Sequence, residues 1–128
     1  MRYLLDTHVL IWFLNGDKAL PEKIKRLIED ENNSCCVSIA SLWEMAIKIS
    51  LKKLSLTTGF DEIINVINQF NIEIIPIDLV SLYRLSELKF HHNDPFDRTL
   101  IAQAKVEKLV IITKDREFKK YGVKLLWD

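Results

Sequence analysis

The run Leu109-Val110-Ile111-Ile112-Thr113 constrains the fold more than any other stretch of the chain. Five residues pass without a charged side chain or a polar-apolar alternation, the pattern of a parallel strand buried on both faces; a strand with one wet face alternates. Such a strand needs helices above and below it, and the rest of the chain supplies the periodicity for them. Arg2–Leu5 is a short apolar run that stops at Asp6, and residues 8–14 then take helical spacing with Asp6 or Thr7 available as N-cap. Asn15-Gly16-Asp17 ends that helix, and Pro21-Glu22 opens a second with Ile24, Leu27 and Ile28 as its buried stripe. Ser34–Ser38 is a second strand, handing over to a third helix marked by Ile39, Leu42, Trp43, Ala46 and Ile47.

After the third helix, Lys48, Lys52 and Lys53 precede a polar break over residues 55–59. A fourth helix follows over about residues 60–70, a strand over 72–77, and a helix over 79–88 with Leu82, Leu85 and Leu88 at three-residue spacing. The stretch 91–104 then reads as a helix opened by Asp94-Pro95. Beyond the run at 109–113, Arg116–Tyr121 forms a short helix closed by Gly122, and residues 123–127 a last strand. Strands alternating with helices predict an α/β domain over residues 1–128, with a central, mostly parallel, five-stranded sheet covered by helices on both faces. Ligands of such sheets bind outside the carboxyl ends of the strands, where Asp6 and Asp115 fall. These two acids meet provided the first and fourth strands are neighbours.

Composition narrows the function classes. The 18 basic and 18 acidic residues balance, which removes the overall positive charge by which many nucleic-acid binders gain affinity. No apolar run approaches the roughly 20 residues of a membrane span. Asp6 interrupts the first apolar run where a secretory leader would continue, so a cytoplasmic protein is expected. Cys35 and Cys36 are adjacent, would point to opposite faces of a strand, and read as small buried apolar residues.

Each acid has a bland reading. Asp94 can be an N-cap with Pro95 at the first helical position, and Asp97 a short-armed capping box. Aspartate is a poor substitute for the usual Glu or Gln there, however, and can equally face a metal across the first turn. Asp6 could cap the first helix, and Asp115 could sit in a turn neutralised by Lys114 and Arg116. Against both stands their shared location, where mutual repulsion is costly without a cation. Glu44 could pair with Lys48 one turn on, or lie on a partly buried flank with Ala40, Ile47 and Leu51. His91 and His92 read as a solvated loop, since no Cys or His stands at zinc spacing. Trp12, Phe13, Trp43 and Trp127 read as core or subunit contact.

Together, Leu4-Leu5-Asp6-Thr7-His8, Ser38-Ile39-Ala40-Ser41-Leu42-Trp43-Glu44, Asp94-Pro95-Phe96-Asp97-Arg98 with Leu100-Ile101-Ala102-Gln103-Ala104, and Thr113-Lys114-Asp115 resemble PIN-domain proteins, and among them the VapC-type toxins of prokaryotic type II toxin–antitoxin systems. The resemblance spans nearly the whole chain in the family's order and spacing. It implies a PIN-like three-layer fold and a Mg²⁺- or Mn²⁺-dependent ribonuclease whose metal is held by Asp6, Glu44, Asp97 and Asp115. It further implies supporting roles for Thr7 and Thr113, a cap or outer contact for Asp94, a small antitoxin as partner, and structured RNA as substrate; the number of large aromatics, rather than the resemblance, leads to the expectation of a homodimer. The near-neutral charge leaves RNA docking to local residues such as Lys48, Lys52, Arg98 and Arg116.

Oxygen donors without sulfur suit a hard divalent ion that activates water for in-line attack on a phosphodiester, with no protein nucleophile. Two rivals stand beside this reading. One is a phosphoryl-transfer domain, but a phosphatase wants a second acid where His8 stands, and a receiver wants paired acids where Asp6-Thr7 stands. The other is an inactive PIN-like module that binds RNA or a protein without cutting.

Overall fold

In the computed structural model, which describes residues 1–56 and 59–127, the strands are β1 (Arg2–Leu5), β2 (Ser34–Ser38), β3 (Glu73–Ile75), β4 (Val110–Ile112) and β5 (Lys124–Leu126). They form one sheet in the order β3-β2-β1-β4-β5, with every neighbouring pair parallel. The sheet is therefore fully parallel, and β1 and β4 are neighbours with Leu5 opposite Ile112. From β1 the chain steps outward to β2 and β3, then returns to lay β4 and β5 on the other side. The order thus reverses between β1 and β4, and the crevice at their carboxyl ends is the topological switch point of the sheet.

The strand period of two divides the core cleanly. Leu4, Cys36 and Ile111 point into one apolar cluster with Leu100, Ile101, Ala104 and Phe118. Leu5, Cys35, Val37 and Ile112 point into the other, with Val9, Ile24, Ile28, Leu42, Met45, Ile63 and Ile67. The adjacent cysteines thus lie on opposite faces, both buried thiols. Helices α1 (Thr7–Asn15), α2 (Glu22–Glu29), α3 (Ile39–Ser50) and α4 (Phe60–Gln69) cover the second face; α6 (Pro95–Glu107) covers the first, with α5 (Leu79–Glu87) packed against α6. Each strand with both faces covered reads as a near-continuous apolar run, which is why the 109–113 segment stands out in the sequence.

Several details differ from expectation. The third strand ends at Ile75, because Pro76 supplies no N–H for a further rung. The short helix after β4 is a 3₁₀ helix, Arg116–Tyr121, closed by Gly122 at φ 75°. The break expected at 55–59 falls partly on Thr57 and Thr58, outside the described residues. Trp12 and Trp127 pack on each other beside the core, but Trp43 is 60% exposed, its ring set edge-on against Phe96. Leu51, expected on a partly buried flank, is exposed as well. Among the described residues no helix is long and apolar enough to cross a membrane.

Candidate active site

Three of the acids do structural work and still face the switch point. Asp6 caps α1, its Oδ1 accepting from the Val9 N–H at 2.8 Å, while Oδ2 accepts from the Thr113 hydroxyl. Thr113 Oγ1 in turn accepts from the Asp115 N–H at 3.0 Å, so one threonine ties together the two strand ends. Asp115 caps the 3₁₀ helix through the Glu117 N–H and forms no ion pair with Lys114 or Arg116 among the described residues. A cap occupies one carboxylate oxygen, so capping and ligand roles are not exclusive. Asp94 caps α6 with Oδ1 on the N–H groups of Phe96 and Asp97, at 2.9 and 3.1 Å. The carboxylate of Asp97 makes no capping-box return to the Asp94 N–H among the described residues; it interacts electrostatically with Asp6, Glu44 and Asp115.

Glu44 satisfies both halves of its ambiguous reading. It is 7% exposed on α3, and its Oε2 pairs with Lys48 Nζ at 2.9 Å. Its Oε1 is buried and has no hydrogen-bond partner among the described residues, a position that costs about 1–3 kcal/mol if nothing satisfies it. Thr7 helps set the helix: its hydroxyl donates to Ser41 Oγ at 2.9 Å, one turn before Glu44, tying α1 to α3.

Electrostatics link the carboxylates. Burial, then the negative charges of Asp94, Asp6, Glu44 and Asp115, push the Asp97 carboxyl up to about 7. Burial also raises Asp6, against the hydrogen bonds from Thr113 and Val9 that favour its charged form, and Asp115 adds to the rise. All four sequence-predicted acids therefore act on one neighbourhood. Among the described residues, no three acidic, histidine or cysteine side chains stand close enough to enclose an ion as they are. The donor set nevertheless fits a hard divalent cation: oxygen ligands only, one of them buried and unpartnered, and one carboxyl raised to about 7 by burial and by its acidic neighbours.

The PIN domain family model matches residues 3–124. The chain belongs to the PIN-domain family. PIN domains are in general nucleases, and these nucleases generally depend on divalent metal. Among solved structures, this PIN domain is similar to a chain of VapBC2 from Rickettsia felis bound to a DNA fragment from its promoter, with TM-score 0.75 and 19% identity over 99% of this chain and 98% of the other. It is similar to a chain of DNA-bound VapBC from Salmonella typhimurium, with TM-score 0.71 and 22% identity over 99% and 98%. A chain of VapBC-1 from nontypeable Haemophilus influenzae follows, with TM-score 0.67 and 17% identity over 98% and 97%. These likenesses are likenesses of fold. No curated protein matches the sequence.

In this PIN domain the cations named from the sequence are placed differently from one another. Arg98 is turned inward and is 5% exposed, its guanidinium donating to the Lys89 and Leu88 carbonyls and to the Tyr121 hydroxyl, and lying 3.8 Å over the Phe90 ring. It is a structural brace for the segment between α5 and α6, which corrects its placement on an RNA-facing surface. Lys48 is engaged by Glu44, whereas Lys52 and Arg116 are exposed. His92, read from the sequence as part of a solvated loop, is half-buried. Its Nε2 is buried without a hydrogen bond, 4.0 Å from Asp97 Oδ2. The loop that carries it is held by the Tyr121 hydroxyl, which accepts the N–H groups of His91 and His92 at 3.2 Å each. The signal was the histidine pair itself, but its meaning depends on a tyrosine 29 residues away.

Proposed function

We propose that this PIN domain is a Mg²⁺- or Mn²⁺-dependent endoribonuclease, the toxin of a toxin–antitoxin pair, with Asp6, Glu44, Asp97 and Asp115 as its metal ligands. The observation that carries the reading is the convergence of four carboxylate fields on Asp97 at the switch point of a PIN fold. When bound there, a divalent ion would lower the pKa of a coordinated water and neutralise charge developing on the phosphate. The chain's own residues do the rest. Thr113 holds Asp6 and the Asp115 backbone in one register, so the acids at the two strand ends cannot drift apart. Ser41 and Thr7 fix the turn of α3 that carries Glu44. Asp94 builds the start of α6 from which Asp97 projects.

The likeness to VapBC chains supports a small antitoxin as partner. A homodimer fits the exposed apolar side of α5, where Leu79, Val80, Leu82 and Tyr83 lie side by side; sedimentation that finds only monomer removes it. One observation favours a second reading, a binding module that does not cut: the Glu44–Lys48 ion pair occupies a ligand oxygen. Incubating total RNA with the protein in Mn²⁺, in Mg²⁺ and in chelator separates the two. Cleavage dependent on metal, abolished in Asp6→Asn with an unchanged circular dichroism spectrum, is expected. Full activity in that variant sinks the ligand assignment, and no cleavage in either metal leaves the binding module.

A further inference from the structure

The ribonuclease reading leaves the substrate few cations to dock on, since Lys48 and Arg98 are engaged within the protein and only Lys52 and Arg116 of the four named are exposed. The cations are gathered elsewhere. Two adjoining hollows run beside the C-terminal half of α6. Arg84, Lys89, Lys105 and Lys120 line the first; the second shares Arg84 and Lys105 and adds Lys108 and Lys124. Glu87 is the one carboxylate among the lining residues. Lys120 is paired with Glu117, but the other five cations form no ion pair among the described residues. A chain with a formal net charge of zero thus concentrates positive charge in one furrow.

Helix dipoles explain part of this, because Arg84, Lys105 and Lys108 lie at or just past the C-terminal ends of α5 and α6. They do not explain why Lys89, Lys120 and Lys124 converge from three other segments on the same hollows, where like charges repel unless an anion joins them. Gly122 lines the second hollow beside Lys105, whose Nζ would stand 3.7 Å from a Cβ there, an ordinary contact. Side-chain contacts link the first hollow to the acidic site. His91 and Tyr121 line its first hollow, Tyr121 holds the His92 loop, and His92 reaches Asp97. Lys105 and Asp97 share α6 at a separation of eight residues, about 12 Å along the helix.

Building on the ribonuclease reading, we infer that this furrow is the track for the single-stranded phosphodiester backbone flanking the cleavage site. It offers five lysine and arginine side chains without an ion-pair partner among the described residues, against one exposed ring, that of His91, so it recognises phosphate more than base and adds affinity with little sequence preference. Phosphates several nucleotides from the scissile bond would occupy it.

The test measures fluorescence anisotropy of a labelled single-stranded RNA of about twelve nucleotides, in chelator, across a salt series. The proteins are wild type, the triple variant Lys105→Gln/Lys108→Gln/Lys124→Gln, and its charge-conserving control with arginine at the same positions. The glutamine variant should bind at least ~10-fold more weakly at about 50 mM salt. Its slope of log K against log salt should fall by roughly 2, about 0.7 for each phosphate that is no longer neutralised. The arginine control should bind like wild type. With Mn²⁺ present, the glutamine variant should raise KM for RNA and keep kcat. Wild-type affinity and slope in the glutamine variant overturn the inference, as does a weakening of binding to an acidic peptide without any weakening of binding to RNA. The two readings fail separately: absence of cleavage by wild type in Mn²⁺ strikes the nuclease assignment, while the anisotropy series in chelator still decides the furrow.

Discussion

Asp97→Asn removes the most strained charge in the site, and its effect has a definite sign. The Asp97 carboxyl titrates near 7 because burial and the charges of Asp94, Asp6, Glu44 and Asp115 oppose its ionisation. In the unfolded chain it would titrate near 4. Between about pH 4 and pH 7 the folded protein therefore holds this proton more tightly than the unfolded chain does. The stability it contributes is full below about pH 4 and is lost as pH rises through about 7. The gap is equivalent to at most about 4 kcal/mol. With 26% of the side chain exposed, solvent screening brings the figure nearer 2 kcal/mol. Asparagine keeps the shape and never ionises, so in chelator at pH 8 the variant should melt roughly 5–8 °C above wild type. At pH 4.5 the gap should be much smaller, and it should close as pH falls below about 4, where Asp97 is protonated in both states. Thermal melts by circular dichroism from pH 4.5 to 8 measure the difference, in which the titrations of groups remote from Asp97 cancel. Mn²⁺ should then raise the melting temperature of wild type more than that of the variant. A variant that melts no higher than wild type at pH 8, or a difference that does not change with pH, refutes the reasoning.

Two further perturbations probe the site's neighbours. Lys48→Met releases Glu44 from the ion pair at 2.9 Å, so Mn²⁺ should bind several-fold more tightly by titration calorimetry; unchanged or weaker binding would show that the lysine does not compete with the cation. Tyr121→Phe deletes the acceptor shared by Arg98 and the N–H groups of His91 and His92, and should lower stability by about 1–3 kcal/mol. Amide hydrogen exchange at His91 and His92 should accelerate in that variant, and wild-type exchange rates there would contradict the bracing role.

The acids at the strand ends were legible because they depend on local pattern alone. Asp6 and Asp115 follow apolar runs, the runs are parallel strands, and the parallel sheet sends both to one edge. Glu44 was only half legible, since i,i+4 spacing predicts its pairing with Lys48 but says nothing of the burial that leaves Oε1 unpartnered. Arg98 was misplaced for a related reason. A sequence supplies its charge, but its direction is set by the Leu88 and Lys89 carbonyls and by Tyr121, groups that the loop between α5 and α6 and the 3₁₀ helix bring to it. The basic furrow was invisible as well, because its cations come from separate segments and total charge averages them away.

The position of β1 has a consequence for synthesis. Its residues Tyr3, Leu4 and Leu5 pair with Val110, Ile111 and Ile112, more than a hundred residues later, while β2 covers only the opposite edge. At ribosomal rates of about 5–20 residues per second, that edge stays open for roughly 5–20 s, a window in which chaperones or neighbouring nascent chains compete for it. Thr113 and Asp115 emerge only after β4 does. A chain that stalls or is cleaved before that point lacks Asp115 and the Thr113 hydroxyl that holds Asp6, so the crevice is completed only once residues 1–115 have been made.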